Sequence, residues 1–166
     1  MLVARSNETE NEASISRMGI NLADEILTHI ETKVPSLLYP SAPGRISFIG
    51  HSAGGLVIRR ALEEERLAQL RPKFHTYISL ASPHVGVLFM DSQLVSTGMW
   101  TFFQFNRSAL LKELMLEDHG SGDIRNSLLY KLSDNGALQY FKRVVLVSSP
   151  KDQYVPLYSA RVQVRL

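Results

Sequence analysis

The pentapeptide Gly50-His51-Ser52-Ala53-Gly54 follows the apolar run Ile46-Ser47-Phe48-Ile49 and precedes Gly55-Leu56-Val57-Ile58-Arg59-Arg60-Ala61-Leu62, which reads as a helix. A G-x-S-x-G pattern between a strand and a helix is the signature of a nucleophile elbow, a tight turn that lifts a serine hydroxyl above the ends of a sheet. Such a turn needs neighbours that do not crowd its backbone, and Gly50 and Gly54 meet that need. The Ser52 hydroxyl would sit at the amino end of the following helix, and the amide of Ala53 would be one of two donors to a developing oxyanion. The chemistry implied is acyl transfer through a serine nucleophile. The competing reading is an ordinary glycine-rich turn in which Ser52 merely caps the helix, and the flanking strand and helix favour the elbow.

A serine nucleophile works with a base and with an acid that orients the base. Asp152 is the natural acid, because Ser149-Pro150-Lys151-Asp152-Gln153-Tyr154-Val155-Pro156 follows the apolar run Arg143 to Ser148, and the carboxyl ends of strands are where open α/β sheets gather their active groups. In hydrolases built on such an elbow the chain order is Ser, then Asp or Glu, then His. All five histidines (His29, His51, His75, His84 and His119) precede Asp152, so the base is missing from its expected place. His84, in Ala81-Ser82-Pro83-His84-Val85-Gly86, is the one histidine expected at the catalytic edge. It is a candidate surrogate base, set against a hydrogen-bonded structural role. His51 should point into the helix–sheet contact, His29 and His119 read as surface residues, and Asp134 reads as a turn residue beside Asn135-Gly136. No histidine stands at metal-ligand spacing with a carboxylate; neither a metal nor any other cofactor is expected.

The elements that position these residues alternate between short β-rich runs and longer amphipathic stretches, the pattern of a mostly parallel sheet flanked by helices. Strands are expected at Met1 to Ala4, Ile46 to Ile49, Thr76 to Ala81 and Arg143 to Ser148, the last three apolar enough to be buried on both faces. Met18, Leu22, Ile26 and Ile30 mark one face of a helix that Pro35 ends, and a second helix is expected from about Ala53 to Leu70. Residues 87–138 depart from the alternation, since about fifty residues lie where a simple crossover takes about a dozen. This insertion carries Leu88, Phe89, Met90, Leu94, Val95, Met99, Trp100, Phe102, Phe103 and Phe105, which read either as a helix packed on the sheet or as an acyl-binding lid.

Bulk composition narrows the classes. The 166 residues, 45% hydrophobic, suit a single domain over 1–166. The formal charge of +2, with Arg59, Arg60, Arg66, Arg71 and Lys73 interleaved with Glu63-Glu64-Glu65, gives no nucleic-acid stripe. There are no cysteines, which excludes disulfides and thiol catalysis. No apolar run approaches membrane-span length, leaving peripheral membrane contact as the expected limit of lipid association.

Three blocks, Arg45 to Arg59, Tyr77 to Gly86 and Val147 to Ala160, resemble in order and character the lipase-like serine esterase domain of the FAM135 proteins. The resemblance implies a partial α/β-hydrolase fold with Ser52 as nucleophile, Asp152 as triad acid and a carboxylic ester, including lipid esters, as substrate. It also implies an upstream His-Gly loop and a downstream histidine that these residues do not include, so the expectation is an internal piece without an intact catalytic machine. On that alignment Met1 to Arg5 would be the fold's fourth strand, and the third strand would be missing from the edge of Ile46 to Ile49. The alternatives are a non-catalytic binding or scaffolding domain of the same architecture, or a thioesterase or acyltransferase using the same elbow.

Overall fold

In the computed structural model, residues 1–9, 13–87, 109–120 and 122–163 are described. Helix α1 (Ile15–Lys33) forms where the four-residue apolar spacing predicts it, burying Leu22, Ala23, Ile26 and Ile30. The Ser14 side chain caps it by accepting from the Arg17 amide at 3.0 Å. A 3-10 turn at Pro35–Leu38 follows, and the buried Lys73 ammonium donates to the carbonyls of Tyr39 (3.0 Å) and Ala42 (2.6 Å), closing the loop that leads into the sheet.

The sheet has three parallel strands in the order β1 (Ile46–His51), β2 (Phe74–Leu80), β3 (Arg143–Val147). Helix α2 (Ala53–Ala61) crosses from β1 to β2 and, with α1, covers one face. The two helices approach so closely that a Cβ at Gly19 would lie 2.8 Å from the Cβ of Arg60. Beneath them Phe48, Phe74, Tyr77 and Phe141 form an aromatic cluster, with Phe74 and Phe141 stacked at 5.0 Å. Helices α3 (Ala109–Leu114), α4 (Leu128–Asp134) and α5 (Leu157–Arg161) are joined by further 3-10 turns at Ile124–Asn126 and Ala137–Tyr140. None of the described helices is long and apolar enough to cross a membrane.

Four expectations are corrected. Met1 to Ala4 is not a strand; the amides of Arg5 and Ser6 instead donate to the Glu25 carboxylate on α1 at 2.9 Å, and Leu2 packs at the margin of the core. The second helix stops at Ala61 rather than Leu70, and Glu65–Lys73 continues as 3-10 turns; Glu63-Glu64-Glu65 places negative charge at a helix carboxyl end, where the macrodipole opposes it. Ala81 leaves the third expected strand because its φ is 49°. Nor is the sheet buried on both faces, since Ile49, Val145 and Val147 are 67%, 41% and 47% exposed. Within 87–138, Leu128, Leu129 and Leu132 of α4 join the core. The aromatic-rich stretch from Leu88 to Phe105 lies outside the described residues.

Candidate active site

Ser52 leaves β1 with φ 53° and ψ −133°, a region that an L-residue occupies at a cost of about 1–3 kcal/mol. A helix-capping serine has extended backbone and bonds the amides of the first turn; Ser52 has positive φ, and its side chain makes no cap hydrogen bond. The hydroxyl is therefore not consumed by the helix it precedes. Two backbone bonds hold the turn, from the Ser52 amide to the Leu80 carbonyl at 2.9 Å and from the Gly55 amide to the Ser52 carbonyl at 3.2 Å. Ala53 is the first residue of α2, and its amide belongs to the first turn, whose N–H groups have no intrahelical acceptor.

The steric demand of the turn falls on Gly50 and Gly55. A Cβ at Gly50 would lie 2.7 Å from both the N and Cα of Gly55, and one at Gly55 would lie 2.8 Å from the Cβ of Ser82. At Gly54 a Cβ would meet nothing within 4 Å, so packing among the described residues does not require the second glycine of the motif. The sequence pattern singles out Gly54 because of its place in the motif, whereas the need at Gly55 arises from β2 and the loop after it.

Asp152 follows β3 and Ser52 follows β1, with β2 between them, so both stand at the carboxyl end of the parallel sheet. At the spacing of neighbouring strands, their points of departure are about 10 Å apart. The half-buried Asp152 organises its loop by accepting at Oδ1 from the amides of Tyr154 (2.8 Å) and Val155 (3.1 Å).

His84 is 2% exposed, and both its ring nitrogens are engaged away from Ser52. Arginine can only donate; the Arg59 Nη1 therefore donates to His84 Nδ1 at 3.3 Å, and Nε2–H donates to the Ser79 hydroxyl at 2.8 Å. Burial, aided by the Arg59 charge, holds the ring neutral with a pKa pushed down to about 4. His51 does not enter the helix–sheet contact but is exposed, because Gly50 takes the face toward α2 and the strand alternation turns His51 the other way. His29 and His119 are half-buried rather than at the open surface, and His75 is at the amino end of β2, opposite Ser52. Among the described residues no imidazole hydrogen-bonds Ser52, and no group of three His, Asp or Glu could hold a metal ion.

Several polar residues around this site are not evident in the sequence pattern. Arg59 sits 7% exposed on the otherwise apolar face of α2, its Nη2 donating to the Leu132 carbonyl at 2.5 Å. Tyr77 donates its hydroxyl to the Gly55 carbonyl at 2.9 Å, and burial pushes its pKa up to about 12. Ser159 is fully buried, donating to the Gly86 carbonyl at 2.6 Å and accepting from the Val85 amide at 3.2 Å. An arginine inside an apolar helical face and serines inside apolar runs are the only local signals of these contacts.

The model of the family described as "Putative serine esterase (DUF676)" matches residues 1–162. The chain is 29% identical over 167 residues to "Putative lipase YDL109C" of Saccharomyces cerevisiae, an alignment covering 93% of the chain and 23% of that protein. It is 27% identical over 166 residues to "Putative lipase ROG1" of the same organism, covering 94% of the chain and 22% of that protein. The chain thus spans less than a quarter of the length of these relatives. No solved structure matches it.

Proposed function

Since the chain belongs to the "Putative serine esterase (DUF676)" family, we propose that it carries the nucleophile and the acid of a carboxylic ester hydrolase, with Ser52 and Asp152 in those roles. The observation that carries this is the backbone of Ser52, strained at φ 53° with a hydroxyl that does not cap α2. In the proposed reaction Ser52 Oγ attacks the ester carbonyl carbon, and the carbonyl electron pair moves onto an oxygen that accepts from the Ala53 amide. The serine proton passes to an imidazole and from it to the departing alkoxide, leaving an acyl-serine that water hydrolyses by the same route. Asp152 orients that imidazole and stabilises its charged form. The yeast relatives named as lipases support an ester, including a lipid ester, as the substrate class.

The imidazole is the part that no described residue brings to Ser52. A serine without a base stays protonated and weakly nucleophilic, so slow turnover by this chain is part of the proposal. The same observation favours the second reading, a non-catalytic domain that keeps the elbow as architecture. Added imidazole separates the two, because in the proposed arrangement a free ring would take the place of the missing base between Ser52 and Asp152. Hydrolysis of p-nitrophenyl acetate should rise with imidazole above the rate of a Ser52→Ala control, which subtracts the reaction of imidazole in solution, and Asp152→Asn should blunt the rise. Identical imidazole dependence in the parent and in Ser52→Ala would favour the non-catalytic domain.

A further inference from the structure

Hydrogen bonds linked by short backbone segments, buried at Arg59, His84, Ser79 and Ser159 and part-buried at the Asp152 end, join the Ser52 turn to the Asp152 loop. The path starts on α2, two turns after Ser52, where the Arg59 guanidinium donates to His84 Nδ1 at 3.3 Å and to the Leu132 carbonyl of α4 at 2.5 Å. It is fixed to β2 through the 2.8 Å bond from His84 Nε2–H to Ser79. The next two residues of the same loop pass to α5, where Ser159 accepts from the Val85 amide and donates to the Gly86 carbonyl. The segment leading into α5 returns to Asp152, whose Oδ1 accepts from the Val155 amide at 3.1 Å. Arg59, His84, Ser79 and Ser159 are 7%, 2%, 1% and 0% exposed.

We infer that this path is a brace that sets the separation between the Ser52 elbow and the Asp152 loop, with His84 and Ser159 as its positioning residues; the inference rests on the proposed roles of Ser52 and Asp152. Apolar packing tolerates small slides between elements, whereas buried hydrogen bonds have narrow preferred lengths and directions, and leaving one partner unpaired is costly. The two ends of the path lie on different strands' exits, β1 and β3, that share no ladder bonds. Their spacing therefore depends on β2 and on contacts of this kind. Both His84 nitrogens serve the brace, which accounts for a histidine near the catalytic edge that does not touch the serine.

The absence of native cysteines allows the separation to be measured directly. Spin labels at His51→Cys and Lys151→Cys, both exposed positions, flank the two ends of the site. Electron–electron dipolar spectroscopy should give one narrow distance distribution in the parent. Ser159→Ala, a small change that thermal unfolding can verify to be folded, should broaden it at least twofold. His84→Ala should do the same, and His84→Gln, which again offers one acceptor and one donor, should restore most of the narrow distribution. A folded Ser159→Ala protein with the parent's distribution would overturn the brace. In the imidazole assay, Ser159→Ala without the labels should lower kcat about tenfold at unchanged KM. A parent with no Ser52-dependent rate would remove the catalytic roles of Ser52 and Asp152, while the distance measurement would still decide whether the brace exists.

Discussion

Gly50 and Gly54 are equivalent in the pentapeptide and opposite in the fold. Alanine at 50 would drive a Cβ into the backbone of Gly55, which cannot move without opening the β1–α2 turn, and should cost about 2–3 kcal/mol or more. Alanine at 54 meets open space within α2 and should be neutral or stabilising by up to about 1 kcal/mol, because glycine is the poorer helix former. Urea unfolding of the two variants reads the contrast directly; similar losses at both positions would contradict it. His84 gives a pH signature of its own. Its folded pKa of about 4 lies below the ordinary histidine value of about 6.5, so the unfolded chain binds the proton more readily between those values. The stability due to the neutral ring is complete above about pH 6.5 and is lost as pH falls through about 4. The ring is faced by the Arg59 guanidinium from α2 and by Tyr77 and Ser79 from β2, none of which gains or loses charge in that window. Thermal unfolding midpoints should therefore decline over it, and the decline should be shallower in His84→Gln.

At the scale of elements, Glu113 of α3 adds a distant cap to α1 beside the local one from Ser14. It is 6% exposed, its Oε2 accepting from the Ile15 amide at 2.5 Å and its Oε1 lying 3.4 Å from that of Ser16, where the helix dipole favours negative charge. Burial raises its pKa, while a glutamine of the same shape keeps one carbonyl acceptor for the first-turn amides. Glu113→Ala should destabilise by about 1–2 kcal/mol and Glu113→Gln by clearly less; equal losses in chemical denaturation would argue against capping. This contact joins residues far apart in the chain, and nothing in the residues around either end announces it. Local pattern did announce α1, whose apolar period is written in its own residues, and the Ser52 turn, whose strand, glycine and helix are contiguous. It misled at Met1 to Ala4, where apolar residues resemble a strand but no described partner offers a ladder, and beyond Ala61, where the acidic run outweighs helical periodicity. The parts of the site fixed by distant partners, Gly55 against Ser82 and Ser159 against the Val85–Gly86 loop, could not be read from neighbours in sequence.

Across the whole molecule the sheet is asymmetric. One face lies under α1 and α2, and the other presents Ile49, Val145 and Val147, which share a face by the register Ile49↔Ile78↔Val145 and Leu80↔Val147. Among the described residues no strand pairs with the outer edge of β1, and unpaired edges beside apolar surface promote association. Sedimentation velocity should show concentration-dependent self-association that Ile49→Lys together with Val145→Lys reduces; an unchanged association would place its cause elsewhere. The strictly parallel pairing also carries a consequence for synthesis. A parallel neighbour never arrives by a hairpin, so each strand must wait for the next to be made. At translation rates of about 5–20 residues per second, β3 emerges on the order of ten seconds after β1. Throughout that interval the Ser52 turn lacks the β2–β3 ladder through which the Asp152 loop is anchored, so the nascent chain carries the proposed nucleophile long before it has the means to hold the proposed acid in place.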